Sequence, residues 1–138
     1  MKNLLVASTS TVYGGNFLQY LLPQLREHFK AIDTLLFIPY ARPGGITYES
    51  YTSNVAEALK DFSFSVKGIH EFEDPQKAVE NAEAIFVGGG NTFVLLDELH
   101  QRRLIEPLRK VMEKGIPYLG TSAGSNIVGL NVKTTNDM

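Results

Sequence analysis

The sequence predicts an α/β fold, an open parallel sheet with helices on both faces. Three observations carry this reading. Short, continuous apolar runs recur along the 138 residues, as in strands buried on both sides. Amphipathic stretches of helical period separate them. Strand and helix alternate from end to end without a repeat, a low-complexity segment or a linker, which gives βαβ units in one domain spanning residues 1–138.

The first run is Leu4 to Ala7. Phe17, Leu18, Leu21, Leu22, Leu25 and Phe29 then share one helical face, and Pro23 should kink or restart that helix. Leu35 to Ile38 is the second strand, and Tyr51, Val55, Ala58, Leu59 and Phe62 make the second helical face. Phe64 to Val66 is a weak third strand. Asp74-Pro75 reads as an N-cap with proline at the first helical position, opening a short third helix. Ala84 to Val87 is the fourth strand, followed by a helix with Phe93, Leu96 and Leu99 on its apolar face. Leu104, Leu108, Val111 and Met112 mark a fifth helix that Gly115 stops. Ile116 to Leu119 is the fifth strand, and Ser125 to Val128 a short helix after it. In such sheets ligands bind outside the carboxyl ends of the strands, so chemistry is expected in the loops 9–16, 40–47, 88–92 and 121–124.

Composition narrows the function. The chain is 43% hydrophobic and 20% charged, which excludes a disordered segment. Thirteen basic against 15 acidic residues leave no surplus for a phosphate backbone, so no nucleic-acid partner is expected. No cysteine is present, which excludes disulfides, thiolate-bound zinc and a cysteine nucleophile. The longest apolar runs are four residues, against about 20 for a membrane span. A cytoplasmic protein without membrane contact is the expectation. The sequence ends on the polar run Lys133 to Asp137 with no closing helix or strand, which reads as a domain cut short.

The strongest chemical signal is Gly120-Thr121-Ser122-Ala123-Gly124. It matches G-x-S-x-G between a strand and a helix. A sharp strand-to-helix turn lifts the serine hydroxyl over the helix N-terminus, and Gly120 and Gly124 let neighbouring backbone pass close to it. The Ala123 N–H can then donate to an oxyanion. A glycine-flanked turn with a serine cap would carry the same pattern. Gly88-Gly89-Gly90-Asn91-Thr92 follows the fourth strand. Its N–H groups could complete an oxyanion hole or cradle a phosphate, or the stretch could be a tight turn into a helix capped by Asn91. No Gly-Lys-Ser/Thr follows, so it is not a P-loop. His28, His70 and His100 read as surface residues, none in a strand-end loop beside Ser122, and their spacing offers no metal site. Arg42, in the loop after the second strand, could meet a carboxylate but reads better as an exposed loop side chain. A serine without a base is a weak nucleophile, so these residues amount to half a catalytic site.

Taken together, Ile38-Pro39-Tyr40-Ala41, Glu49-Ser50-Tyr51, Gly88 to Phe93, Ser122-Ala123-Gly124-Ser125-Asn126 and Thr134-Thr135-Asn136-Asp137-Met138 strongly resemble the peptidase E family of α-aspartyl dipeptidases, which are serine peptidases. The resemblance runs in order from Met1 to Met138. It implies a flavodoxin-like domain related to class I glutamine amidotransferases, hydrolysis of dipeptides with an N-terminal aspartate, a small peptide as partner and no cofactor or metal. Position by position, it implies that Ser122 is the nucleophile, that Asp137 is a carboxylate of the charge relay, and that Gly88, Gly89 and Ala123 line the oxyanion hole. The residue before the serine is usually tryptophan in that family and is Thr121 here. A Gly-Thr-Ser-Ala-Gly elbow also resembles cyanophycinases, which hydrolyse aspartyl peptide polymers. The family's catalytic histidine lies beyond the stretch that matches. The resemblance therefore implies that these 138 residues alone are inactive; the alternative reading is a non-catalytic binding or structural α/β module. Oligomeric state is not legible.

Overall fold

The central strands Thr34–Ile38 and Ile85–Val87 form because their residues have two apolar faces to hide. In the computed structural model, which describes residues 3–7 and 22–121, five strands pair in parallel. They are β1 (Asn3–Ala7), β2 (Thr34–Ile38), β3 (Ser65–Gly68), β4 (Ile85–Val87) and β5 (Pro117–Thr121). Their order across the sheet is β1-β5-β4-β2-β3. Among the described residues five α-helices connect them: α1 (Leu22–His28), α2 (Tyr48–Ala58), α3 (Pro75–Glu80), α4 (Thr92–Gln101) and α5 (Ile105–Lys114).

Side chains alternate across the sheet as the pleat requires. Leu36, Ile38, Ile85, Val87 and Tyr118 face one way and pack against Val79 of α3, Leu95 and Leu99 of α4, and Leu108, Val111 and Met112 of α5. Leu35, Phe37, Phe86 and Leu119 face the other way, against Leu25 of α1 and Tyr51, Val55 and Leu59 of the α2 region. Each such side chain stabilises the fold by about 1.5–3 kcal/mol relative to exposure. Helices thus cover both faces, as the apolar runs predict.

The strand order departs from simple succession. From β2 the chain moves outward to β3, then returns to place β4 on the other side of β2, with β5 beyond it. Strands β2 to β5 reproduce the first four positions of the flavodoxin-like order 2-1-3-4-5. The fifth position is taken by the N-terminal strand β1, which pairs with β5 from Asn3↔Pro117 to Ala7↔Thr121. The direction of progression reverses between β2 and β4, which sets a topological switch point at their carboxyl ends.

The helix boundaries follow local chemistry. Thr47 caps α2, accepting from the Ser50 N–H at 3.1 Å. Asp74 caps α3 ahead of Pro75, accepting from the Lys77 N–H at 3.2 Å. Gly115 closes α5 in the left-handed region, at φ 89°. The described part of helix α1 runs from Leu22 to His28 and includes Pro23; Phe17, Leu18 and Leu21 of the expected face lie outside the described residues. One face differs from expectation. In α4 the buried pair is Leu95 and Leu99, four residues apart, while Phe93 is 84% exposed. Phe93 shares the Leu96–Leu99 spacing, but it sits in the first turn, where the helix leaves the sheet end before α4 meets the core.

Candidate active site

The loops that leave β2 and β4 are tied to each other at the switch point. The Gly88 N–H donates to the Ile38 carbonyl at 3.2 Å, and the Asn91 N–H donates to the Ala41 carbonyl at 3.0 Å. The Asn91 side chain turns back to cap α4, accepting from the Val94 N–H at 3.1 Å. From beneath, the Tyr51 hydroxyl donates to the Gly89 carbonyl at 2.9 Å. Among the described residues, nothing accepts from the Gly89 or Gly90 N–H. The result is a glycine loop fixed at both ends and in its middle, with two adjacent backbone donors that have no acceptor among the described residues.

Glycine at position 88 makes this arrangement possible. A Cβ there would lie 2.4 Å from the Tyr51 hydroxyl and 3.0 Å from the Phe37 ring. The space a side chain would fill is occupied by the phenol that holds the loop. Gly90 adopts φ +144°, and a Cβ on it would meet the Ala41 carbonyl oxygen at 2.5 Å. Gly88 was expected to donate to an oxyanion. Its N–H is engaged by Ile38, so what Gly88 supplies in this loop is room.

The other half of the expected site approaches from β5. Val87 and Gly120 are register partners. Gly88 therefore leaves β4 beside the strand end from which Thr121 leads into Ser122. Ser122, Ala123, Gly124 and Asp137 lie outside the described residues, as does the short helix expected over Ser125 to Val128.

Two of the three histidines are not the surface residues expected. His28 is half-buried, its Nε2 paired with the Tyr118 carbonyl at 2.8 Å. Burial holds its pKa below the ordinary histidine value, with the Tyr118 hydrogen bond acting in the opposite sense. His70 is half-buried against Tyr48, ring centroids 5.9 Å apart, and its buried Nδ1 has no hydrogen-bond partner among the described residues. Both follow amphipathic geometry: an imidazole at the end of an element tucks its ring inward where a carbonyl or an aromatic face is close. His100 is exposed, as expected. Arg42 is exposed too, and it secures its own loop, donating to the carbonyls of Ile46 at 2.9 Å and Gly45 at 3.1 Å. Tyr40, beneath Arg102, has its phenol pushed up to about 12 by burial, so it stays protonated at neutral pH. Among the described residues, no group of three or more acidic, histidine or cysteine side chains could hold a metal ion, and no helix is long and apolar enough to cross a membrane.

Sequence reading treated Tyr51 as a helix-face residue and missed its part in the site. The available signal was its hydroxyl: a buried tyrosine needs a hydrogen-bond partner, and burial pushes this phenol well above its usual pKa.

A model of peptidase family S51 matches residues 4–138. The chain belongs to this family. S51 relatives align over nearly its whole length. It is 43% identical over 140 residues to a "Probable alpha-aspartyl dipeptidase" of Drosophila melanogaster, covering 99% of this chain and 57% of that protein. It is 44% identical over 136 residues to "Peptidase E" of Shewanella amazonensis, covering 97% and 57%, and 42% identical over 137 residues to "Peptidase E" of Escherichia coli O6:K15:H31, covering 98% and 58%. The chain thus spans somewhat more than half the length of these S51 proteins. Among solved structures it resembles a "Putative Peptidase E Protein" from Listeria monocytogenes EGD-e, with a TM-score of 0.71 and 27% identity over 93% of this chain and 62% of that one. A peptidase from an acI-B1 Actinobacterium shares the fold, with a TM-score of 0.63 at 18% identity.

Proposed function

We propose that the complete gene product is a serine-type dipeptidase that cleaves dipeptides carrying an N-terminal aspartate. Ser122 attacks the peptide carbonyl. A histidine from the part of the S51 domain that this chain does not span takes the serine proton and later passes it to the leaving amine, and Asp137 orients that histidine. The glycine loop of 88–90 and the Ala123 N–H bind the tetrahedral oxyanion, with Gly120 and Gly124 supporting the turn. The observation that carries this reading is the Val87↔Gly120 register. It sets a donor-bearing glycine loop and the strand leading into the G-x-S-x-G segment side by side at neighbouring strand ends. Family membership and relatives named as α-aspartyl dipeptidases support the substrate class.

The test is hydrolysis of Asp-Leu by the complete gene product. Ser122→Ala should lower turnover by at least about 10⁴-fold, as loss of a nucleophile does in serine peptidases. Undiminished turnover in that variant would remove Ser122 from the mechanism. The Thr121 elbow makes aspartyl peptide polymer the informative second substrate. Polymer cleaved in preference to Asp-Leu would move the specificity towards the cyanophycinase-like alternative.

A further inference from the structure

Building on the serine-peptidase reading above, we infer that Tyr51 is a positioning residue that aims the Gly90 N–H, making this group a donor of the glycine loop to the oxyanion. The peptide joining Gly89 to Gly90 is trans and planar, so the Gly89 carbonyl and the Gly90 N–H point in opposite directions. The carbonyl is anchored inward on the Tyr51 hydroxyl at 2.9 Å. The N–H is therefore aimed away from the core, on the half-buried side of the loop.

Among the described residues, little else holds that peptide in place. Glycine flanks it on both sides, so rotation meets little steric resistance. Of the four N–H groups from Gly88 to Asn91, the outer two are bound to carbonyls of the β2 segment and the inner two have no acceptor among the described residues. Tyr51 is held firmly. Its ring stands at 84° to Phe37 with centroids 4.9 Å apart, and its hydroxyl fills the space left by Gly88. Removing the hydroxyl leaves the buried Gly89 carbonyl without a partner, a condition that drives the peptide to turn and takes the Gly90 N–H with it.

The decisive variant is Tyr51→Phe in the complete gene product, which keeps the ring and its packing. Its kcat on Asp-Leu should fall about 10²- to 10³-fold, the range for losing one oxyanion donor, with KM within about twofold because ground-state binding is untouched. The amide signal of Gly90 in ¹⁵N-labelled protein should shift and change its exchange rate. A kcat equal to wild type, or a loss confined to KM, overturns the role of Tyr51 while leaving the peptidase reading intact. If wild type shows no Ser122-dependent hydrolysis, the peptidase reading fails, and the Gly90 amide alone decides whether Tyr51 sets the peptide. An unchanged signal overturns it. Should Tyr51→Phe not fold, Phe37→Leu keeps the hydroxyl but removes its brace, and the same split of kcat from KM is expected; an unaltered kcat there overturns the role.

Discussion

His28 and Tyr51 are tied to their surroundings through single hydrogen bonds to backbone carbonyls, those of Tyr118 and Gly89. For His28 the consequence is a pH dependence. Its folded pKa lies below the ordinary value of about 6.5 because half-burial disfavours the imidazolium. The unfolded chain therefore takes up the proton first, and stability present above the ordinary value is lost as pH falls through the folded one. Urea midpoints should drop as pH falls below about 6.5, and His28→Gln, which keeps an N–H donor without titrating there, should flatten the drop. An equal slope in the variant would assign the acid sensitivity elsewhere. The sequence places this histidine near the end of a helix but does not disclose the carbonyl it reaches, because its partner lies 90 residues away. Tyr51 is the same case. Periodicity shows that it faces inward, whereas its partner loop is fixed by strand order.

The elements are legible where local chemistry defines them. The Asp74-Pro75 start of α3 and the Gly115 stop of α5 were both readable from the sequence. Asn91 is another such signal: its side chain caps α4, while its backbone N–H ties the end of the glycine loop to the Ala41 carbonyl. Asn91→Ala should cost about 1 kcal/mol in chemical denaturation, and Asn91→Ser should recover most of it, because serine supplies the same acceptor. Equal losses in the two variants would mean that the cap contributes nothing. The face of α4 was harder to read. Phe93, Leu96 and Leu99 satisfy one apolar period, and Leu95 and Leu99 another. Only the docking of the helix on the sheet selects the second.

At the scale of the whole molecule, two apolar layers share one sheet. Leu108 belongs to the layer under α4 and α5, and Leu119 to the layer under α1 and α2. Each is fully buried. Leu108→Ala and Leu119→Ala should each cost about 2–5 kcal/mol, and the double variant should lose their sum to within about 0.5 kcal/mol, since the sheet separates the two sites. A larger departure would show that strain crosses the sheet. The class of fold was legible from the alternation of runs and periods. The order of the strands was not, because the runs other than the weak β3 share one apolar character and nothing in Leu4 to Ala7 names β5 as its neighbour.

That pairing has a consequence for how the protein is made. Asn3 and its partner Pro117 are 117 − 3 = 114 positions apart. Strands β3, β4 and β5 each find a neighbour among residues already synthesised, whereas β1 leaves the ribosome first and must wait for β5. At about 5–20 residues per second the delay is roughly 6–23 s. Throughout that time Leu4-Leu5-Val6-Ala7 is an apolar segment without its strand, the stretch of the nascent chain in greatest need of a chaperone's cover.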